Sequence, residues 1–327
     1  MAHPTTLILS QADVRALLSM KDAVAAVEAA FAAHSRGEAL MPPKVYLSLP
    51  EIGGDFRAMP ATFAGSAGVK WVNSHPSNPA KHGLPAVMGL YILSDPETAL
   101  PLAVMDATWL TAVRTGAAAA VASKYLARKS SRSIGFVGCG VQARTMLEAH
   151  RVVFGEGLTV VGADVRADAA TRFAEEVGGR VGTVAEACAC DIVCTSTPGK
   201  VVAVTREMLA PGVHINAMGA DAEGKQELAE DALAGMTIVV DDPAQALHSG
   251  EINVAIHHGT LRDSDLHGTI GEVVTGKKSG RMGDAAITLF DSTGLAIHDV
   301  AVARVVLDAA YRAGRGVEMD LVGVGRH

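Results

Sequence analysis

No apolar run in these 327 residues is long enough to cross a membrane as a helix, and no basic segment leads into an apolar one at the N-terminus. Runs of Lys or Arg are also missing. The 35 acidic residues outweigh 28 basic ones, giving a net charge of −7. Neither nucleic acid nor a membrane surface is therefore expected as a partner, and a soluble cytoplasmic protein is the expectation. Aromatic residues make up only 4% of a chain that is 49% apolar. The apolar content is mostly Ala and Val, as in α/β proteins with many helices. Cysteine is confined to Cys139, Cys188, Cys190 and Cys194. No C-x-x-C pair or neighbouring His accompanies them, so buried free thiols are expected and no metal.

What is present is enough chain for two domains and a large core. Ser10 and Ser19 are candidate helix N-caps, and Asp22 follows Ser19 by three residues. From Lys21 to Ser35, Val24, Val27 and Phe31 share one helical face, which ends near Gly37. Short apolar strands follow at Lys44–Leu47, Phe56–Pro60, Ala67–Val72, Ala86–Leu93 and Leu100–Met105. Strands in series suggest an antiparallel or mixed sheet. Asp106 then caps an Ala-rich helix running to about Arg128, and a polar linker reaches Arg132.

From Ser133 the pattern alternates strand and helix, with strands at Ile134–Val137, Leu158–Gly162, Asp191–Cys194, Val213–Asn216, Thr237–Val240 and Ile287–Phe290. Most end in small polar residues, which suits a doubly wound sheet with ligands beyond its carboxyl ends. A closing helix is expected over Ile297–Ala313. The predicted architecture is α/β: a Rossmann-type doubly wound domain over 119–299, and a mixed α+β substrate and dimerisation domain formed by 1–118 with 300–327.

The first of the alternating strands runs into Gly138-x-Gly140-x-x-Ala143. This order fits a dinucleotide fingerprint, in which the glycines allow a tight turn and close approach to a pyrophosphate. The helix that follows would offer free N–H groups to the phosphates. Asp164, at the end of the next strand, suits the adenosine ribose and disfavours a 2′-phosphate, so NAD is expected over NADP; it also reads as a helix N-cap. Arg166 complicates the choice, because an arginine there can accommodate the phosphate.

Lys70 lies in a largely apolar strand, where desolvation would make it a usable general base. An edge-strand lysine with its head in water is the more frequent case for such a strand. Arg57 and Lys44 offer cations to a small anionic substrate, or they are ordinary solvated charges. Arg114 sits among small residues and must be paired if buried, to an anionic ligand or in a structural ion pair. Asp221 follows a strand end, so it reads as a site carboxylate or as a loop cap.

Together these blocks resemble the ornithine cyclodeaminase/mu-crystallin family, and within it the archaeal-type alanine dehydrogenases. The resemblance is carried by Met41–Leu47, Arg57–Ala61, Gly68–Pro76, Arg114–Ala118, Gly138–Ala143, Gly219–Leu228 and Phe290–Ile297. It implies that Lys70 and Asp221 are catalytic and that Arg57, with Lys44, holds the substrate carboxylate. It places Arg114, Thr115, Gly138, Gly140, Val141 and Gln142 at the cofactor phosphates, and Asp164, Val165 and Arg166 at the adenosine. Thr195, Ser196, Met218, Gly219, Ala220, Lys225 and Ser292 would line the rest of the NAD site. It also implies a homodimer made through the first domain. The pattern departs at Glu223, where members often carry proline.

Gly219-Ala220-Asp221 lacks the second glycine of cyclodeaminases, and Gln226 matches the dehydrogenase pattern. The expected activity is therefore NAD-dependent oxidative deamination of a small L-amino acid, alanine to pyruvate and ammonia. Ornithine cyclisation and cyclic-imine reduction are the alternatives within the family. A mu-crystallin-like ligand-binding protein is the non-enzymatic one.

Overall fold

The structure is a computed structural model that describes residues 5–199 and 201–323. It divides into two compact units, Met1–Arg114 with Leu295–His327, and Thr115–Gly294. Both boundaries lie a few residues before those expected from the sequence. The first falls inside one continuous helix, Thr108–Leu126, so no change of composition marks it. Residues 1–4 and 324–327, the outer ends of the expected first domain, lie outside the described residues.

In the first unit the strands are β1 (Thr6–Leu9), β2 (Val45–Leu49), β3 (Gly54–Phe63), β4 (Ser66–Ser74), β5 (Val87–Ser94), β6 (Pro101–Asp106) and, from the far end of the chain, β15 (Val317–Met319). They form one mixed sheet in the order β15-β1-β6-β5-β4-β3-β2. Only β1 with β6 is parallel. The helices Met20–Arg36 and Ala296–Ala313 pack on each other, and the latter covers one face of β3, β4 and β5. Ser10 closes a full capping box with Asp13, and Ser19 caps the helix that begins at Met20. Side chains alternate across β4: Lys70 and Val72 are buried, whereas Trp71 is 46% exposed.

In the second unit the strands are β7 (Ser133–Val137), β8 (Thr159–Ala163), β9 (Arg180–Val181), β10 (Ile192–Thr195), β11 (His214–Ala217), β12 (Thr237–Val240), β13 (Leu266–Thr269) and β14 (Thr288–Asp291). Every pairing is parallel, in the order β13-β12-β14-β11-β10-β7-β8-β9. Strands β10, β11 and β14 are buried throughout, as a sheet covered on both faces requires. The chain runs outward from β7 to β9 and then restarts at β10, on the other side of β7. That reversal opens a crevice at the carboxyl ends of β7 and β10, the place where such sheets bind ligands.

Candidate active site

In the first unit, Lys70 projects from the interior of the sheet and is 1% exposed. The water-facing alternative fails because β3 and β5 flank β4 and the helix Ala296–Ala313 covers it. Lys70 Nζ donates to Asp299 Oδ1 at 2.9 Å and lies 2.9 Å from Oδ2. Arg114 Nε donates to the same Oδ1 at 3.1 Å. One buried carboxylate therefore faces two cations. Burial lowers the Lys70 pKa to about 7, with help from Arg114 and against the opposing pull of Asp299. A lysine in that range exchanges its proton readily near neutrality, which is the property a general base needs.

Arg57 pairs with Val72 across β3 and β4, next to the Met59–Lys70 pair, so it lies on the same face as Lys70. It is 7% exposed. Its fork is bidentate on Asp55, at 2.7 Å from Nε and 3.0 Å from Nη2, and the guanidinium lies 5.2 Å from the Tyr46 ring centroid. Lys44 is half-buried and is close enough to depress the pKa of both Lys70 and His298.

Three residues of this cluster escaped sequence reasoning. Tyr91 stands opposite Lys70 in the β4–β5 register, fully buried. Burial, then Asp299, pushes its hydroxyl well above the usual range. His298 is fully buried edge-on against Phe31, and burial, then Arg114, holds its pKa well below the usual value. Asp299 left a signal: a carboxylate in the apolar stretch Leu295–Ala303 has to find a partner.

In the second unit the glycine turn has the expected form. Gly138 sits at φ +96°, where a Cβ would come within 2.8 Å of the Ser196 carbonyl oxygen. Around Gly140 nothing lies within 4 Å of a Cβ, so there is open space beside the start of the helix Val141–Phe154. That helix has no side-chain cap and no acidic residue in its first turn, so its leading amides suit a pyrophosphate. Val141 is 59% exposed beside that space, while Gln142 is partly buried and bonded locally to Thr145.

Asp164 does not cap the next helix. Its carboxylate accepts from the Cys139 N–H at 2.8 Å and the Arg166 N–H at 2.9 Å, tying the end of β8 to the glycine turn. Val165 and Arg166 are exposed beside it, and Arg166 Nε lies 3.7 Å from Asp164 Oδ1.

Other expected cofactor residues divide by depth. The Ser196 hydroxyl reaches back to the Gly138 carbonyl at 3.4 Å. Thr195 is fully buried and donates to Glu227 Oε2 at 2.5 Å, so its hydroxyl supports the loop from beneath. The Met218 N–H donates to the Thr195 carbonyl and the Gly219 N–H to Glu227, with Ala220 buried beside them. Lys225 donates to Asp221 at 2.6 Å, both partly exposed. Ser292 is bonded to Asp241 at 3.3 Å. Arg114 and Thr115 are both buried, and the Arg114 Nε is engaged by Asp299. All four cysteines are free and buried. Among the described residues no group of His, Cys, Asp and Glu is arranged to hold a metal ion, and no helix is long and apolar enough to cross a membrane.

The chain is similar to known proteins over nearly its whole length. Residues 5–314 match the model of the ornithine cyclodeaminase/mu-crystallin family. An alanine dehydrogenase of Archaeoglobus fulgidus is 54% identical over 316 residues, covering 95% of this chain and 97% of the relative. A solved archaeal alanine dehydrogenase dimer with bound NAD superposes with a TM-score of 0.93 at 52% identity, over 97% of this chain and 99% of that one. The Thermococcus litoralis Δ1-pyrroline-2-carboxylate reductase, solved with NADH and L-proline, gives 0.91 at 33% identity, over 95% and 99% of the two chains. The chain therefore belongs to the ornithine cyclodeaminase/mu-crystallin family.

Proposed function

We propose that this protein is an NAD-dependent dehydrogenase of small L-amino acids that converts L-alanine reversibly to pyruvate and ammonia. The observation that carries the reading is Lys70, a buried lysine with a pKa of about 7 held beside a carboxylate and a second cation. The 54% identity to an alanine dehydrogenase supports the choice of reaction. The turn at Gly138 and Gly140, the uncapped helix after it and Asp164 are the groups that would hold NAD. The exposed Arg166 beside Asp164 is the feature that leaves room for some use of NADP. When bound, the nicotinamide accepts the hydride equivalent that no side chain can take.

The chain's own residues do the rest. Arg57, with Lys44, takes the substrate carboxylate, exchanging part of the Arg57–Asp55 pairing for the ligand. Neutral Lys70 accepts a proton from the substrate ammonium at Nζ, and Asp299 stabilises the ammonium so formed. The burial of Lys70 keeps bulk water from that proton. Asp221, held by Lys225, is assigned to orient the water that completes the deamination.

The direct test is to supply amino acids with NAD or NADP and follow reduced cofactor. One NADH per pyruvate from alanine supports the reading. Proline formed from ornithine without net NADH refutes it. A second reading, cyclic-imine reduction, is favoured by the 33% identical reductase solved with NADH and L-proline, because the same lysine in its protonated form would donate to an imine nitrogen. NADH oxidation by a five-membered cyclic imine carboxylate, faster than by pyruvate with ammonia, would select it.

A homodimer through the first unit is proposed on the outward face of its sheet. Val45, Trp71 and Leu90 stand in register across β2, β4 and β5, exposed by 63%, 46% and 55%. A contiguous row of exposed apolar side chains on one sheet face marks an association surface. Sedimentation of the purified protein checks it.

A further inference from the structure

The crevice side of the second unit contains four buried carboxylates for which the mechanism has no use. Glu227 is fully buried. Its carboxylate accepts from the Thr195 hydroxyl, from the Thr197 N–H at 2.6 Å and from the Gly219 N–H at 2.9 Å. The Glu227 N–H, with that of Leu228, donates in turn to Glu251. The Glu251 and Ile252 N–H groups donate to Asp291 at 2.9 and 3.2 Å. Asp241 accepts from the Thr293 and Gly294 N–H groups at 2.7 and 2.9 Å.

Each of these bonds fastens a segment beyond a strand end. Glu227 joins the segments after β10 and β11, Asp291 closes β14, and Asp241 clamps the segment after β14 from the end of β12. The partners of Glu227, Glu251 and Asp291 among the described residues are hydroxyls and backbone amides. A surface carboxylate would not need such partners. Three buried ones side by side are costly unless hydrogen-bonded, and the same bonds fix the amides that make them.

The position of these bonds in the sheet is informative. The glycine turn and Asp164 follow β7 and β8, on one side of the reversal point. The segments tied by Glu227 follow β10 and β11, on the other side. In a doubly wound sheet the two sides take the two halves of a dinucleotide. With β7 and β8 taking the adenosine half, β10 and β11 take the nicotinamide half.

We propose that Glu227 is a positioning residue for the nicotinamide half of the cofactor site, holding Thr195–Thr197 and Gly219 in one fixed arrangement through the buried carboxylate chain. This rests on the NAD reading above. Binding is separable into halves, because ADP occupies the adenosine half alone and NADH needs both.

The test is Glu227→Gln, which keeps the shape but turns part of the acceptor into a donor. NADH binding is followed by fluorescence titration and ADP binding by calorimetry, on the purified full-length protein. The expected result is an NADH Kd raised about tenfold or more, an ADP Kd within twofold of the parent, and faster amide exchange at Thr197 and Gly219. Two outcomes overturn the proposal. One is NADH binding within twofold of the parent. The other is equal weakening of NADH and ADP, which would make Glu227 a support of the whole unit. If the glutamine variant does not fold, Thr195→Val removes a single bond to Glu227 and is read by the same split. Failure of the parent protein to bind NADH at all would instead refute the NAD reading.

Discussion

The two units bury charge in opposite ways. In the first, Asp299 lies against Lys70 and Arg114, so one anion offsets two cations. In the second, burial raises the pKa of Glu227, Glu251 and Asp291, the carboxylates beside them raise Glu251 and Asp291 further, and backbone amides stabilise them in place of cations. On the proposed function, the difference separates a reacting lysine from carboxylates that fix loops. Burial, with Arg114 beside it, leaves the Lys70 proton loosely held near neutral pH. Carboxylates bonded to amides hold loops in place and have no nucleophile or base to activate.

The largest expected effect tests the first half of that contrast. Asp299→Asn removes the carboxylate that pairs with two buried cations, and it should cost about 3–5 kcal/mol, because an uncompensated buried charge is left behind. Denaturant unfolding measures it, and a loss under about 1 kcal/mol would mean that the pairing is not what stabilises this cluster.

Lys70→Ala comes next. It should lower kcat by about 10²–10⁴, the usual worth of a general acid–base group, with NADH affinity unchanged. In the parent, kcat/KM for deamination should rise with pH through about 7, the Lys70 value, as the neutral amine appears. That limb should be lost in the variant. Its persistence would move the base elsewhere.

Asp291→Asn should cost less than Asp299→Asn, about 1–3 kcal/mol, since only amide donors lose part of their acceptor and the asparagine oxygen still takes one of them. If the two substitutions cost the same, the distinction between the clusters fails.

The pH dependence of stability tests the same contrast, because the two clusters should have opposite slopes. Lys70 falls from 10.5 to about 7 on folding. Between those values the unfolded chain holds a proton that the folded chain lacks, so this contribution to stability rises with pH. Burial raises Asp291 from 3.8 to about 8. There the folded chain holds the extra proton, so its contribution falls as pH rises across that window. Lys70→Met should flatten the rise and Asp291→Asn the fall, as read from denaturant midpoints across the pH range.

Much of the second unit is legible in the sequence. The alternating pattern after Ser133 marked the strands β7, β8, β10, β11, β12 and β14, because a run such as Ile192-Val193-Cys194 has one way to be buried on both faces. The glycine turn was equally plain, since a positive φ at Gly138 is a local requirement that a residue type reports. Several short elements were not seen. β1 and β15 are edge-side segments whose pairing partners lie across the chain from one another, and β9 has two residues. Such elements exist through their neighbours, so they leave no periodic trace.

The sequence by itself determined the fold class, the nucleotide turn and the family, for which local propensity, spacing and recurring blocks suffice. Only the tertiary structure decided what Lys70 is. A lysine in an apolar strand reads as an edge residue until the strands on both sides and a helix from the far end of the chain close over it. It decided Asp299 and Glu227 in the same way. Asp299 lies 229 positions from its lysine partner and Glu227 lies 32 from Thr195. The environment that sets a buried charge is assembled from segments distant in the chain, and a one-dimensional reading shows the charges without that environment.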